Sequence, residues 1–168
     1  MVARVDSTPS AATPPGEVYD AETFQPRSAV GALLGRVHDV ATSALDRAFA
    51  ADPELAPWEL SWPQLKIIAS LALGNEAKSA SDLCKSISYD AGAMTRMIDR
   101  LESKGLIRRE RCTSDRRLVY LELTDDGKRI WPQMREVTRK NLNALLSGFS
   151  HEEVHQLEGF LRRMLENG

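Results

Sequence analysis

"DAGAMTRMIDRLESKGLIRRERCTSDRRLVYLELTDDGKRI", residues 90–130, changes its periodicity halfway and so decides the fold. In the first third, Ala91, Met94, Ile98 and Leu101 recur at three- and four-residue spacing, the pattern of an amphipathic helix. Asp90 is placed to cap that helix, and Gly105, just after Lys104, to close it. "LIRRER" (106–111) and "LVYLEL" (118–123) then read as two strands around the polar run 112–117. Val119, Leu121 and Leu123 alternate with Tyr120 and Glu122, which buries one face. Thr124 is a cap for the helix that follows.

Outward from this stretch the signals stay helical. "SASD" (79–82) is a start signal, and Ala80, Leu83, Cys84 and Ile87 fall on one face of a short helix that stops near Ser88. Two short helices joined by a turn form a helix-turn-helix, and a hairpin after them makes a winged helix. Upstream, Ser61 and Gln64 in "SWPQ" form a capping box for a helix with Leu65, Ile68, Ala69 and Ala72 on one face, ended by Gly74. Between Val30 and Phe49, apolar residues at 30, 34, 37, 41, 44 and 48 give a narrow seam suited to a partner helix. Downstream, a helix carrying Ile130, Trp131, Met134, Val137, Leu142 and Leu145 is expected to kink near residues 128–132, because Pro132 lacks a backbone donor. A second capping box, Ser150 with Glu153, opens a last helix with Val154, Leu157, Leu161 and Met164.

The expected fold is mainly α with a small β-hairpin wing: a winged helix-turn-helix core flanked by N- and C-terminal dimerisation helices. Residues 1–22, rich in Ser, Thr, Pro and Ala, read as a flexible tail. Residues 23–60 read as an N-terminal dimerisation helix and linker, 61–123 as the DNA-binding domain, and 124–168 as C-terminal dimerisation helices. Three short helices cannot easily bury the apolar stripes of the terminal helices, so a second copy is expected to cover them.

Charge distribution points to a partner. Residues 96–117 hold eight Lys/Arg and four Asp/Glu, within a chain of formal net charge −2. A basic stripe on an acidic body is an electrostatic footprint for nucleic acid. No apolar run reaches membrane-span length, and the first seventeen residues lack the apolar core of a secretion signal, so a cytoplasmic location and no membrane partner are expected. Two cysteines without such a signal do not suggest a disulfide framework.

"DAGAMTRMIDRLESKGLIRRE" (90–110) and "SDRRLVYLELTDDGKRI" (114–130) resemble the MarR family of bacterial transcription regulators: the first its recognition helix and first wing strand, the second its D-x-R wing motif and its L-T-x-x-G entry to the next helix. The resemblance covers roughly residues 30–165. It implies a homodimer that binds a pseudo-palindromic double-stranded operator, usually as a repressor, and that is often released by a small aromatic or phenolic effector. Efflux or aromatic-compound genes are the expected targets. By the same match, Asp115 and Arg117 are the D and R of the wing motif, with Arg117 expected in the minor groove, Asp115 orienting it and Arg116 on phosphate. On the recognition helix, Met94, Ile98 and Leu101 take the core face and leave Ala91, Gly92, Thr95 and Arg96 for the major groove. Gly92 has two rationales, close backbone approach to DNA or simply a weak helix start; Arg96 has two, contact with DNA or a surface ion pair. In the resembling family the effector lodges between the dimerisation helices and the winged helix; the candidate lining here is His38, Trp58, Trp62, Trp131 and Met134, with plain packing as the competing reading.

Three other signals compete. "HEEVH" (151–155) matches the H-E-x-x-H zinc pattern, but it sits in the turn capped by Ser150, and a third ligand would have to come from elsewhere. A regulatory metal site using His155 is a related alternative. Cys112, among Arg109, Arg111 and Arg116, is a candidate redox sensor, while Cys84 lies on an apolar stripe and reads as core. No nucleophile triad, phosphate-cradling glycine loop or paired carboxylates stand out, so no enzyme, metal or cofactor is expected. A redox- or metal-responsive regulator of the same fold is the alternative function, and a zinc hydrolase the more distant one.

Overall fold

A computed structural model describes residues 17–74, 78–87, 89–111 and 119–167. The chain divides into two units, residues 1–39 and 40–168. In the first, the rings of Tyr19 and Phe24 meet edge to face with centroids 5.0 Å apart. The Tyr19 hydroxyl accepts the backbone N–H of Val30 at 2.9 Å, satisfying one of the donors left open at the start of helix α1 (Val30–Ala51). Val30, Leu33 and Val37 are exposed on that helix.

The second unit takes in the rest of α1, a 3-10 turn at Ala56–Trp58, and then α2 (Trp62–Leu73), β1 (Lys78–Ser79), α3 (Ala80–Ile87), α4 (Ala91–Ser103), β2 (Ile107–Arg111), β3 (Val119–Leu123), α5 (Asp125–Leu145) and α6 (His151–Glu166). This is a mainly helical winged helix with a small antiparallel sheet. The strands run in the order β1-β3-β2, with Arg109 opposite Leu121 and Lys78 on the other side of Leu121. The two-residue β1 is too short for any alternation to reveal it, so the sequence showed a hairpin where the structure has three strands.

Caps anticipated from spacing form as local hydrogen bonds. Asp90 accepts the Ala93 N–H at 2.8 Å, Thr124 accepts Gly127 at 3.1 Å, and Ser150 and Glu153 bond reciprocally at 3.2 and 2.7 Å. Ser79 and Asp82 form the same reciprocal pair ahead of α3. Helix α4 ends as the sequence suggested. Gly105 takes φ +70°, and the N–H groups of Gly105 and Leu106 return to the carbonyls of Glu102 and Leu101.

The core joins Leu45 and Phe49 of α1, Leu65, Ile67 and Ile68 of α2, Leu83, the Met94–Ile98–Leu101 face of α4, and Ile130, Met134 and Val137 of α5. The buried residues of α1 are Leu45 and Phe49; the seam of 41, 44 and 48, read as suited to a partner helix, is not among them. The single-face reading of α2 changes. Helix α2 is central and packs on α3, α4, β3 and α5, so Ile67 is buried beside Ile68 and no single face describes it. Helix α5 runs on through Pro132 without interruption. Between elements, Asp46 accepts the Trp62 N–H at 2.7 Å, Asp52 accepts Gln133 at 2.6 Å, and Asn141 donates to the Ala41 carbonyl at 3.2 Å. Together they tie the second half of α1 to α2 and α5.

Helix α6 has no buried residue. Leu142, Leu145 and Phe149 at the end of α5, and Leu157, Phe160, Met164 and Leu165 on α6, are all exposed, Phe160 at 57 %. No helix among the described residues is long and apolar enough to cross a membrane.

Candidate functional site

Helix α4 presents Ala91, Gly92, Thr95, Arg96, Asp99 and Arg100 to solvent, while Met94, Ile98 and Leu101 fix its opposite face in the core. The row expected to face a groove is therefore exposed as a set. Thr95 donates its hydroxyl to the Ala91 carbonyl at 2.8 Å, which commits its proton to the helix and leaves its oxygen able to accept. At Gly92 a Cβ would stand 3.2 Å from the Asp90 cap carboxylate. Glycine there relieves crowding at the cap, a local reason beside the two drawn from sequence. Arg96 has no ion pair among the described residues, and neither does Arg100 one turn further on.

The basic stripe is smaller than its residue count. Arg109 on β2 binds Asp99 at 2.6 Å and Glu102, both on α4, and these carboxylates hold its guanidinium above its usual pKa. Arg108 is neutralised by Glu122 at 2.8 Å and Glu110 at 3.0 Å. Lys104 turns inward and donates to the carbonyls of Trp58 and Glu59 at 2.6 and 2.8 Å; burial lowers its pKa. Among the described residues of the stripe, Arg96, Arg100 and Arg111 remain as uncommitted cations. Arg109 thus links β2 to α4 through two ion pairs. Cys112, Asp115, Arg116 and Arg117 lie outside the described residues.

A cleft of about 590 Å³ opens between α2 and α5, lined by Trp62, Leu65, Lys66, Trp131, Arg135 and Leu142 among others. Small-molecule sites span roughly 300–1,000 Å³, so this one has room for a small aromatic compound. It brings Trp62 and Trp131 together, as the sequence suggested. Met134 is fully buried behind it in the core, and Trp58, half-buried on the core, does not line it. His38 belongs to the first unit, exposed on α1. The sequence reading missed Lys66 and Arg135, although each stands four residues after one of the two tryptophans, on the same helical face. Glu136 on the cleft wall is paired with Arg139 at 2.7 Å, which, with Lys140 beside it, holds its carboxyl at about 2. Neither Lys66 nor Arg135 has an ion pair among the described residues, so these two cations are available to an anion.

The zinc-like stretch is used otherwise. Glu153 is held in the cap of α6, its carboxyl lowered by the Ser150 backbone and hydroxyl, and Glu152 accepts Gln156 at 3.0 Å. His151 and His155 are exposed, and among the described residues no three His, Cys, Asp or Glu side chains gather as metal ligands. Cys84 is half-buried against the core.

A model described as MarR family matches residues 60–119. Among solved structures, a cysteine-to-serine mutant of MarR from E. coli, in complex with operator DNA, is 28 % identical with TM-score 0.71, covering 81 % of this chain and 93 % of that one. BpsR of Bordetella bronchiseptica, whose DNA binding is regulated by 6-hydroxynicotinic acid, is 22 % identical with TM-score 0.72, covering 84 % and 96 %. The transcriptional regulator BldR from Sulfolobus solfataricus is 24 % identical with TM-score 0.71, covering 83 % and 94 %. The last two likenesses speak to the fold alone.

Proposed function

We propose, from the match of residues 60–119 to the MarR family and the likeness to an operator-bound MarR, that this chain is a homodimeric, sequence-specific DNA-binding transcriptional repressor of that family and of the cytoplasm, released from its operator by a small aromatic or phenolic effector. The observation that carries the proposal is the solvent face of α4, where Ala91, Gly92, Thr95 and Arg96 stand exposed with Arg96 unpaired among the described residues, beside a wing strand fixed to the same helix through Arg109. A side chain six residues from the cap can reach base edges when the N-terminal half of such a helix enters the major groove. Arg117, held by Asp115, is assigned to the adjacent minor groove, and Arg116 to phosphate.

The dimer is supported by the exposed apolar residues of the α5 end and α6, which a second copy would remove from water. Two-fold symmetry then requires a pseudo-palindromic site. The effector class is supported by the cleft's own chemistry: two tryptophans as flat apolar walls and two available cations. Efflux or aromatic-compound genes are the target class such an effector implies.

Selection of bound duplexes from a random pool tests the reading. The expected outcome is an enriched palindrome, and losses of affinity for it of about 1–3 kcal/mol in Arg96→Ala if that side chain reads a base. Arg117→Ala should also weaken binding measurably. Affinity should fall steeply with salt; a flat salt response and an unenriched pool would sink the proposal.

A further inference from the structure

Lys66 lies on α2 in the wall of the cleft, and it also borders a second, shallower groove with Ser70, Lys78 and Ile87. Its ammonium stands 4.4 Å from the centroid of the Tyr89 ring and 5.9 Å from that of Trp62. Both distances fall within the range of a cation–π contact. Among the described residues no carboxylate pairs with it. Among the described residues, then, its charge rests against ring faces rather than a carboxylate.

Tyr89 immediately precedes Asp90, whose carboxylate caps α4 through the Ala93 N–H. The lysine thus reaches from the cleft to the residue at the entrance of the recognition helix. A carboxylate in the cleft offers a full charge and a hydrogen-bond acceptor, which a ring quadrupole does not. Trp131 on the opposite helix, with Arg135 one turn beyond it, supplies a second flat wall and a second cation for the same ligand.

We propose that Lys66 is the positioning residue that couples the effector cleft to the recognition helix: a small aromatic carboxylate takes its ammonium away from the Tyr89 ring and so frees the start of α4. This rests on the effector reading of the cleft given above. It supplies what a ligand-driven change requires, a contact made in one state and broken in the other. With the cleft empty, Lys66 holds Tyr89 and α4 stays in its DNA-binding position. With the cleft filled, Lys66 belongs to the ligand and that hold is lost.

The test uses the full chain, benzoate as probe, benzamide as its uncharged counterpart, and the duplex selected by the wild-type protein. Binding of the probe is read from tryptophan fluorescence, and release from the ratio of operator Kd with and without probe, each variant being compared with itself. For the wild type, benzoate should raise operator Kd about tenfold, within the usual span of allosteric coupling, and benzamide should not. Tyr89→Leu should still bind benzoate, with the release ratio falling below about twofold. Lys66→Gln should lose both, and Lys66→Arg should recover part of the release. Should Tyr89→Leu not fold, the Lys66→Gln and Lys66→Arg pair carries the test, since a cleft that works without this cation would release DNA equally in both. Benzoate that binds while Tyr89→Leu or Lys66→Gln releases operator like the wild type overturns the coupling and leaves the cleft reading standing. Absence of any benzoate binding by the wild type overturns both.

Discussion

Gly127 shows how much one absent side chain can fix. Gly127 is the buried residue of an otherwise exposed first turn of α5 and lies against the residue before β2, where a Cβ at 127 would run into the Leu106 carbonyl oxygen. Thr124 completes the junction, donating its hydroxyl to the Gly105 carbonyl at 2.6 Å and its backbone N–H to Leu106 at 3.1 Å. A backbone atom cannot swing aside as a side chain can. Gly127→Ala should therefore destabilise the fold by about 1–3 kcal/mol, the usual range for overpacking, as read from urea unfolding. The wing arginines separate on similar grounds. Arg111→Ala should reduce the slope of log affinity against log salt by about 1 if that residue meets a phosphate. Arg108→Ala should leave the slope nearly unchanged, because Glu110 and Glu122 already occupy its charge. The sequence gives no hint of that difference: Glu122 is fourteen residues from Arg108, and only strand pairing brings them face to face.

Between elements, Asp52 joins the turn after α1 to α5. It accepts the backbone N–H groups of Glu54 and Leu55 at 3.0 and 3.1 Å, closing the turn after α1, and it holds Gln133 of α5. Burial pushes its carboxyl up, but the hydrogen bond from Gln133 and those from the two backbone N–H groups outweigh it, so its pKa lies below the ordinary 3.8. The folded form prefers the carboxylate, so this stabilisation is fully present above pH 3.8 and is lost as pH falls through the lower folded value. Asp52→Ala should lower the unfolding midpoint at neutral pH and flatten the loss of stability on acidification, a comparison of thermal melts at several pH values. The capping boxes at 61–64 and 150–153 were legible because cap and partner are three residues apart. The bond from Asp52 to Gln133 spans 81 residues and left no trace in the pattern.

For the whole molecule, the apolar surface decides. Phe149 is 51 % exposed and Leu165 81 %, and both lie toward the C-terminal end with Leu157 and Phe160. Such a surface is stable in water when a second copy covers it. Replacing Leu157 and Phe160 together by glutamate should convert a dimer to a monomer in light scattering and weaken binding to a palindrome far more than binding to a half-site. Wild-type protein that remains monomeric at micromolar concentration would refute the dimer. The sequence stripe on α6 held Leu157 and Met164 of this surface but not Phe160 or Leu165. On α1 the residues buried within the chain are Leu45 and Phe49, and the seam of 41, 44 and 48 is the face read as suited to a partner helix.

By itself the sequence determined the order of elements, the ends of most helices and the presence of a wing, because those depend on hydrogen bonds and apolar spacing between residues three or four apart. It also determined which face of α4 stands free. Tertiary structure alone decided which cations remain available. Arg109 is spent on Asp99 and Glu102 and Lys104 on two carbonyls of the turn before α2, while Lys66, resting on the rings of Trp62 and Tyr89, keeps its charge for an anion. An arginine or lysine carries the same charge in every sequence; what that charge can still attract depends on the groups that folding sets within a few ångströms of it.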